Sequence, residues 1–164
     1  MGVVASPDGV AVLRRDLRAL RNLVDLSVNL LARAKERQVS ELLAAAIALD
    51  LHVRVVVENE ILYPILREIE GETGGREGHD FLVGHSRLRG HLVDLCSRSA
   101  DGQEILPALT RLAAVAEDHF SRQERDALPE IQRWLGEDLL AKLAELVEHR
   151  QQSVHAELRE AFCS

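Results

Sequence analysis

The sequence predicts an all-α protein, an antiparallel up-and-down four-helix bundle with an additional C-terminal helix. Its 164 residues suffice for one domain and are too few for two ordinary ones. Apolar residues make up 46% of the chain and aromatic residues only 3%, so the core must be aliphatic, which favours helices over a sandwich or barrel. Apolar residues also recur in three- and four-residue steps, as expected for amphipathic helices. We therefore expect a single helical domain over residues 1–164.

The first half of the chain is expected to form two long helices. The first runs from about Asp8 to Glu36, and its apolar stripe consists of Val10, Leu13, Leu17, Leu20, Val24 and Leu31. Asp8 suits the start of this helix. Ser40 is expected to cap a second helix that runs to about Ile69, with Pro64 kinking its last turns.

The second half is expected to form three helices after a polar, glycine-rich loop at residues 71–78. The third helix is expected over about residues 79–98, and Cys96 within it is expected to be a small core residue. Pro107 fits the first turn of a fourth helix that runs to about residue 127. A fifth, C-terminal helix is expected over about residues 137–162.

Charge and composition exclude several classes of protein. The chain has 20 basic and 27 acidic residues, a net charge of -7, so no overall positive field attracts nucleic acid. No apolar run reaches the length of a membrane span, and the first residues lack the basic stretch of a signal peptide. Two cysteines, Cys96 and Cys163, cannot form a disulfide framework. We therefore expect a cytoplasmic protein without nucleic-acid or membrane partners.

A weak internal repeat relates the two halves. Each half has two polar positions four residues apart and a proline ten residues after the first of them: Arg54, Glu58 and Pro64, then His119, Gln123 and Pro129. Four-residue spacing places both polar side chains on one face of a helix. Two helical hairpins of this design can cover each other's apolar stripes, which predicts a pseudo-twofold four-helix bundle.

The segments that carry this repeat resemble a known family. Residues 58–64, Glu-Asn-Glu-Ile-Leu-Tyr-Pro, are similar to the E-E-x-x-L-Y/F-P end of the second helix in hemerythrin-like, cation-binding HHE domains. Residues 119–129 are similar to the H-F-x-x-E-E-x-x-L-F-P segment of their fourth helix. The resemblance covers about residues 8–130 and implies a hemerythrin-like bundle.

The resemblance also implies a metal site. The family's bundle holds two non-haem irons through six ligand positions, which correspond here to Leu17, Arg54, Glu58, His85, His119 and Gln123. Only Glu58, His85 and His119 are of the family's ligand types, and two His with one carboxylate can hold a single Fe(II) with open positions. Weaker candidates are Glu124, five residues after His119, Gln123 itself, and His52, which lies on a different helical face from Glu58. The remaining histidines are expected at the surface or at helix ends: His79, His91, His149 and His155.

The function implied by the resemblance is the binding of one non-haem iron, for oxygen, nitric oxide or peroxide binding, sensing, or oxidation of a small molecule. Arg54 cannot ligate a metal, so it either forms an internal ion pair with Glu58 or, with Leu17, an anion pocket. The second reading gives an alternative function, a metal-free small-molecule-binding or catalytic bundle that uses Arg54, His85 and His119. A structural, partner-binding bundle is a third hypothesis. Whether the chain is an enzyme, and its oligomeric state, stay open.

Overall fold

The computed structural model describes residues 7–33, 36–73 and 75–163, and all of their regular structure is helical. Five rods are formed, two of which contain a π-helical turn that joins two α-helical segments. The α-helices are α1 Gly9–Arg33, α2 Arg37–Val57, α3 Tyr63–Thr73, α4 Glu77–Ala100, α5 Leu106–Arg122, α6 Leu128–Trp134 and α7 Glu137–Cys163. The π-helical turn Glu58–Leu62 joins α2 to α3, and the turn Gln123–Ala127 joins α5 to α6.

The helix starts agree with the sequence in α1 and α5 and differ in α2. The Asp8 carboxylate accepts a hydrogen bond from the Val10 amide at 2.8 Å, which caps α1, and Pro107 lies in the first turn of α5. Ser40 is not a cap, because α2 begins at Arg37 and the Ser40 amide donates to the carbonyl of Glu36, the residue that precedes the helix. The predicted loop at 71–78 is also shorter than expected, since α3 continues to Thr73 and α4 begins at Glu77.

The prolines of the internal repeat each follow a π-helical turn. The Tyr63 amide donates to the Glu58 carbonyl and the Leu128 amide to the Gln123 carbonyl, both over five residues. Pro64 or Pro129 comes next in the chain, and neither has an amide hydrogen to continue the usual four-residue pattern. The kink predicted at Pro64 is therefore a π-helical turn that precedes the proline, and it is repeated in the second half.

Contacts between helices define a closed packing of four rods with a fifth on the outside. Helix α1 packs against α2 and α5, and α4 packs against α2 and α5, while α7 packs against α1 and α2. Ion pairs such as Arg87–Asp118 and Arg111–Asp94 show that α4 and α5 run in opposite directions. The hydrophobic core is almost entirely aliphatic, as the composition predicted.

Two further features of the helices bear on the predictions made from the sequence. Cys96, expected in the core, is exposed on α4 beside an apolar groove between α2 and α4. Among the helices described, none combines the length and the hydropathy needed to cross a lipid bilayer.

Candidate functional site

Four polar side chains from the two repeat segments form one cluster in the interior. Arg54, Glu58, His119 and Gln123 are each at most 2% exposed. Arg54 and His119 lie one helical turn before the two π-helical turns, and Glu58 and Gln123 are the first residues of those turns. The repeat seen in the sequence thus places equivalent positions face to face.

Arg54 points inward and forms the central ion pair of this cluster. Its Nε donates to Glu58 Oε1 at 2.7 Å and its Nη2 donates to Gln123 Oε1 at 2.5 Å. The third nitrogen, Nη1, is buried and has no hydrogen-bond partner among the described residues. The inward ion pair expected from the four-residue spacing is therefore present.

Both oxygens of the Glu58 carboxylate are engaged, each by different partners. Oε1 accepts from Arg54 and, at 2.6 Å, from the Gln123 amide, while Oε2 lies 2.9 Å from His119 Nε2. Burial acts to raise the pKa of Glu58, but the charges of His119 and Arg54 and the hydrogen bonds from His119 and Gln123 outweigh it. The pKa falls to about 2, so Glu58 is ionised at neutral pH.

His119 Nε2 meets two groups with opposite requirements. The ionised Glu58 Oε2 needs a donor at 2.9 Å, whereas the Gln123 amide nitrogen, 2.8 Å away, needs an acceptor. A single imidazole tautomer cannot satisfy both contacts at once. The nitrogen lone pair of His119 and the oxygens of Glu58 are also the donor types that ligate transition metals.

His85 lies beside His119 and is the least satisfied member of the site. The two rings are stacked with centroids 6.4 Å apart and an interplanar angle of 24°, and Phe81 contacts both. His85 Nε2 is buried without a hydrogen-bond partner among the described residues. Burial lowers the pKa of His85, which favours the neutral imidazole that a metal requires.

Gly84 is a site residue that sequence reasoning missed. A Cβ atom at this position would lie 2.6 Å from His119 Nδ1, so only glycine lets α4 approach the His119 ring so closely. A lone glycine inside a helical pattern was the available signal, because such a residue often marks close packing.

The other candidate residues lie outside the cluster. Leu17 is fully buried and belongs to the hydrophobic core. Glu124 accepts a hydrogen bond from Arg21 at 2.7 Å, and this ion pair holds its carboxylate at the α1–α5 boundary. His52 is exposed and lines the apolar groove between α2 and α4. The structure therefore brings together Arg54, Glu58, His119 and Gln123, with His85 adjacent.

A small cleft leads from the surface to the second-half side of the cluster. It has a volume of about 180 Å³, and His119 and Gln123 contribute to its lining together with Phe81. His119 can therefore be reached from the surface by this route.

Comparisons with protein-family models, with curated proteins and with solved structures found no match to this chain. Within residues 7–33, 36–73 and 75–163, no group of three or more His, Cys, Asp or Glu side chains is gathered closely enough to hold a metal ion. His119 and Glu58 are in contact, whereas His85 forms no hydrogen bond to either of them.

Proposed function

We propose that this chain is a hemerythrin-like, antiparallel up-and-down four-helix bundle, with α7 added to one face, that binds one non-haem iron. The ligands are His85, His119 and Glu58. The observation that carries the proposal is the division of the Glu58 carboxylate, whose Oε1 faces Arg54 while its Oε2 faces His119. The Glu58 carboxylate thus has a guanidinium on one side and a histidine nitrogen on the other.

The side chains present favour one metal over two, although His85 would have to move closer to Glu58 and His119 to complete a set of three ligands. On the first-half side, Arg54 is a permanent cation that hydrogen-bonds Glu58 and Gln123, and Leu17 offers no ligand atom. On the second-half side, His119 Nε2 lies 2.9 Å from Glu58 Oε2, and His85 Nε2 is buried without a partner. An unpartnered buried imidazole nitrogen is costly, and a bound metal would use it.

Each residue has a defined role in this proposal. Glu58, which His119 and Arg54 keep ionised, would hold the metal together with His85 and His119, and burial favours the neutral form of His85 that a metal needs. Arg54 replaces the second metal as the counter-charge to Glu58. When bound, iron with two His and one carboxylate offers open positions for oxygen, nitric oxide or peroxide. The cleft of about 180 Å³ gives molecules of that size a route to His119. The two cysteines, too few for a disulfide framework, support a site of action in the reducing cytoplasm.

Anaerobic Fe(II) loading followed by elemental analysis tests this function. The wild type is expected to retain about one equivalent of iron per chain, and His119→Ala and His85→Ala to lose most of it. His79→Ala and His149→Ala are matched controls, because both histidines are exposed and lie outside the cluster, and they are expected to retain the wild-type content. The Co(II) absorption spectrum of each variant reports coordination independently of any activity.

Wild-type protein with less than about a tenth of an equivalent of metal after such loading would contradict the proposal. Two equivalents would also contradict it, because Arg54 would then have to leave the cluster.

A metal-free site is a second candidate. It is favoured because both oxygens of the Glu58 carboxylate already have hydrogen-bond partners within the protein. In this candidate, His119 or His85 transfers a proton and Arg54 anchors an anionic organic ligand. Ligand binding that survives chelator treatment and is lost in Arg54→Lys would support it, since lysine keeps the charge and lacks the planar fork.

A further inference from the structure

A second cleft lies on the other side of Arg54, between α1, α2 and α7. Its volume is about 490 Å³, within the range of about 300–1,000 Å³ that is typical of small-molecule sites. Leu20 and Val53 contribute apolar surface, and Arg54 belongs to its lining. This cleft is distinct from the one that reaches His119, and none of the metal-ligand candidates lines it.

One nitrogen of the Arg54 guanidinium takes no part in the hydrogen bonds of the cluster. The guanidinium is planar, with Nε–H and Nη2 along one edge and Nη1 on the opposite side. Because Nε and Nη2 are turned to Glu58 and Gln123, Nη1 is directed away from them. Arg54 is 2% exposed, and Nη1 has no partner among the residues described. Arg54 belongs to the lining of this cleft, so an acceptor oxygen of a ligand bound beside it would satisfy the buried Nη1 donor.

Three acidic side chains also line the cleft. Asp16, Asp50 and Glu148 outnumber the single other arginine, Arg15. Arg15 contacts Asp16 at 3.1 Å and lies 3.7 Å from Glu148. Asp50 is half-buried and forms no hydrogen bond to another residue within the described ranges, and burial raises the pKa of its carboxyl, while His155 partly counteracts this. The walls therefore favour a cation, and the Arg54 side favours an oxygen acceptor.

We propose that the cleft between α1, α2 and α7 binds an amino-acid-like zwitterion, with its carboxylate oxygen on Arg54 Nη1 and its ammonium group at Asp50 and Glu148. The proposal shares Arg54 with the metal-free candidate but needs neither histidine nor any metal. It therefore goes beyond the proposed iron site and stands or falls separately from it.

The zwitterion is preferred over a singly charged ligand for an electrostatic reason. A simple anion would approach Arg54, already neutralised by Glu58, past three carboxylates. A simple cation would satisfy the walls and leave Nη1 unpaired. A molecule with both groups makes two charge-assisted hydrogen-bond contacts, which are the strong kind.

Binding is tested on the full chain in the presence of EDTA, by chemical-shift titration of ¹⁵N-labelled protein. The probes are glycine, 4-aminobutyrate and 6-aminohexanoate, which differ in the spacing of their charges, with butylamine and butyrate as singly charged controls. At least one zwitterion is expected to bind roughly tenfold more tightly than both controls, since a hydrogen bond to a charged group contributes that much or more. The shifted amides should belong to α1, α2 and α7.

Two variants locate the binding groups. Asp50→Asn is expected to weaken the best zwitterion roughly tenfold, whereas Asp25→Asn, an exposed α1 position outside this cleft, should leave it unchanged. Asp50 is outside the buried cluster, so its variant is expected to fold. Glu148→Gln provides the same comparison from α7.

The proposal is overturned if no probe binds at tens of millimolar, if butylamine binds as tightly as the best zwitterion, or if Asp50→Asn and Glu148→Gln have no effect. A crystal structure of the probe-soaked protein with only a water on Nη1 would also overturn it. Because EDTA removes metal throughout, a negative result here leaves the iron proposal intact, and loss of iron binding does not affect this one.

Discussion

The two halves of the chain use the same backbone device for different chemistry. Each places a polar pair one turn apart at the start of a π-helical turn that precedes a proline. In the first half the pair is Arg54 and Glu58, whose opposite charges compensate each other inside the protein. In the second half it is His119 and Gln123, which are polar groups with no permanent charge. The charges of the first-half pair thus balance within the pair, whereas His119 and Gln123 need hydrogen-bond partners from elsewhere.

Buried residues of α1 and α4 extend this difference. Leu17, from α1, is apolar and needs no hydrogen-bond partner, whereas His85, from α4, is buried with an unpartnered nitrogen. The unmet hydrogen-bonding capacity on the second-half side is what a bound metal or ligand would satisfy. The comparison therefore separates a structural half-site from a candidate binding half-site, and the predictions below test that separation.

The largest expected effect comes from breaking the first-half ion pair. Arg54→Met leaves Glu58 buried without its counter-charge, and loss of one partner from a buried pair costs about 3–5 kcal/mol of unfolding free energy. Urea unfolding at neutral pH measures this. The matched control is Arg37→Ala, because Arg37 and Glu41 form the same four-residue pair at 2.7 Å on the surface, where such a pair contributes about 0.3–0.5 kcal/mol.

Equal losses in these two variants would show that burial adds nothing to the first-half pair. In that case the first half would not be the structural half of the site.

The second effect is the pH dependence that Glu58 confers. Its pKa is lowered from the usual 4.5 to about 2 in the folded protein, so its contribution to stability is fully present above about pH 4.5 and is lost as the pH falls toward 2. A shift of this size corresponds to about 3 kcal/mol. Unfolding free energies measured between pH 2 and 5 should show this loss in the wild type. The Glu58→Gln variant should show a shallower pH profile, and an unchanged profile would contradict the assignment.

The fold was predictable from the sequence because aliphatic periodicity, proline and glycine act locally. The helical reading and the repeat were right in outline, and the start of α1 at Asp8 followed from a short capping interaction. The errors also have local causes. Ser40 is a good capping residue type, but the α2 helix simply begins a turn earlier. Cys96 is exposed because α4 turns that face toward an open groove.

The candidate site was predictable only in part. Four-residue spacing was enough to pair Arg54 with Glu58, since both lie on one helix. The bond from Arg54 to Gln123 joins residues 69 positions apart and depends on how two rods pack. The close approach of Gly84 to His119 is likewise a contact between helices. Such distances follow from tertiary packing, which a single sequence does not specify.

The third prediction concerns the second half and uses Gly84. Gly84→Ala would place Cβ 2.6 Å from His119 Nδ1, and His119 is held by Glu58, so the ring or α4 must shift. Such overpacking costs about 1–3 kcal/mol. Gly90→Ala on the same helix is the control, because its Cβ would meet nothing within 4 Å and it should gain roughly 0.5–1 kcal/mol of helix stability.

If iron binds as proposed, Gly84→Ala should also lower its retention while Gly90→Ala does not. Unchanged stability and unchanged iron content in Gly84→Ala would show that the His119 position is not constrained by α4.

The smallest expected effect tests whether the two π-helical turns are equivalent. In Pro64→Ala and Pro129→Ala a backbone N–H is restored, which can contribute about 0.5–1.5 kcal/mol if it finds a carbonyl. Against this, the unfolded chain gains conformational freedom, which lowers the unfolding free energy by about 0.4–1 kcal/mol. The two terms oppose each other at both positions, so each variant should change the unfolding free energy by less than about 1 kcal/mol, and by the same amount in both halves. Thermal unfolding of the single variants measures the difference directly. A clearly larger effect at Pro129 than at Pro64 would mean that the second-half turn is held in place by its proline, whereas the first-half turn is held by the Arg54–Glu58 pair.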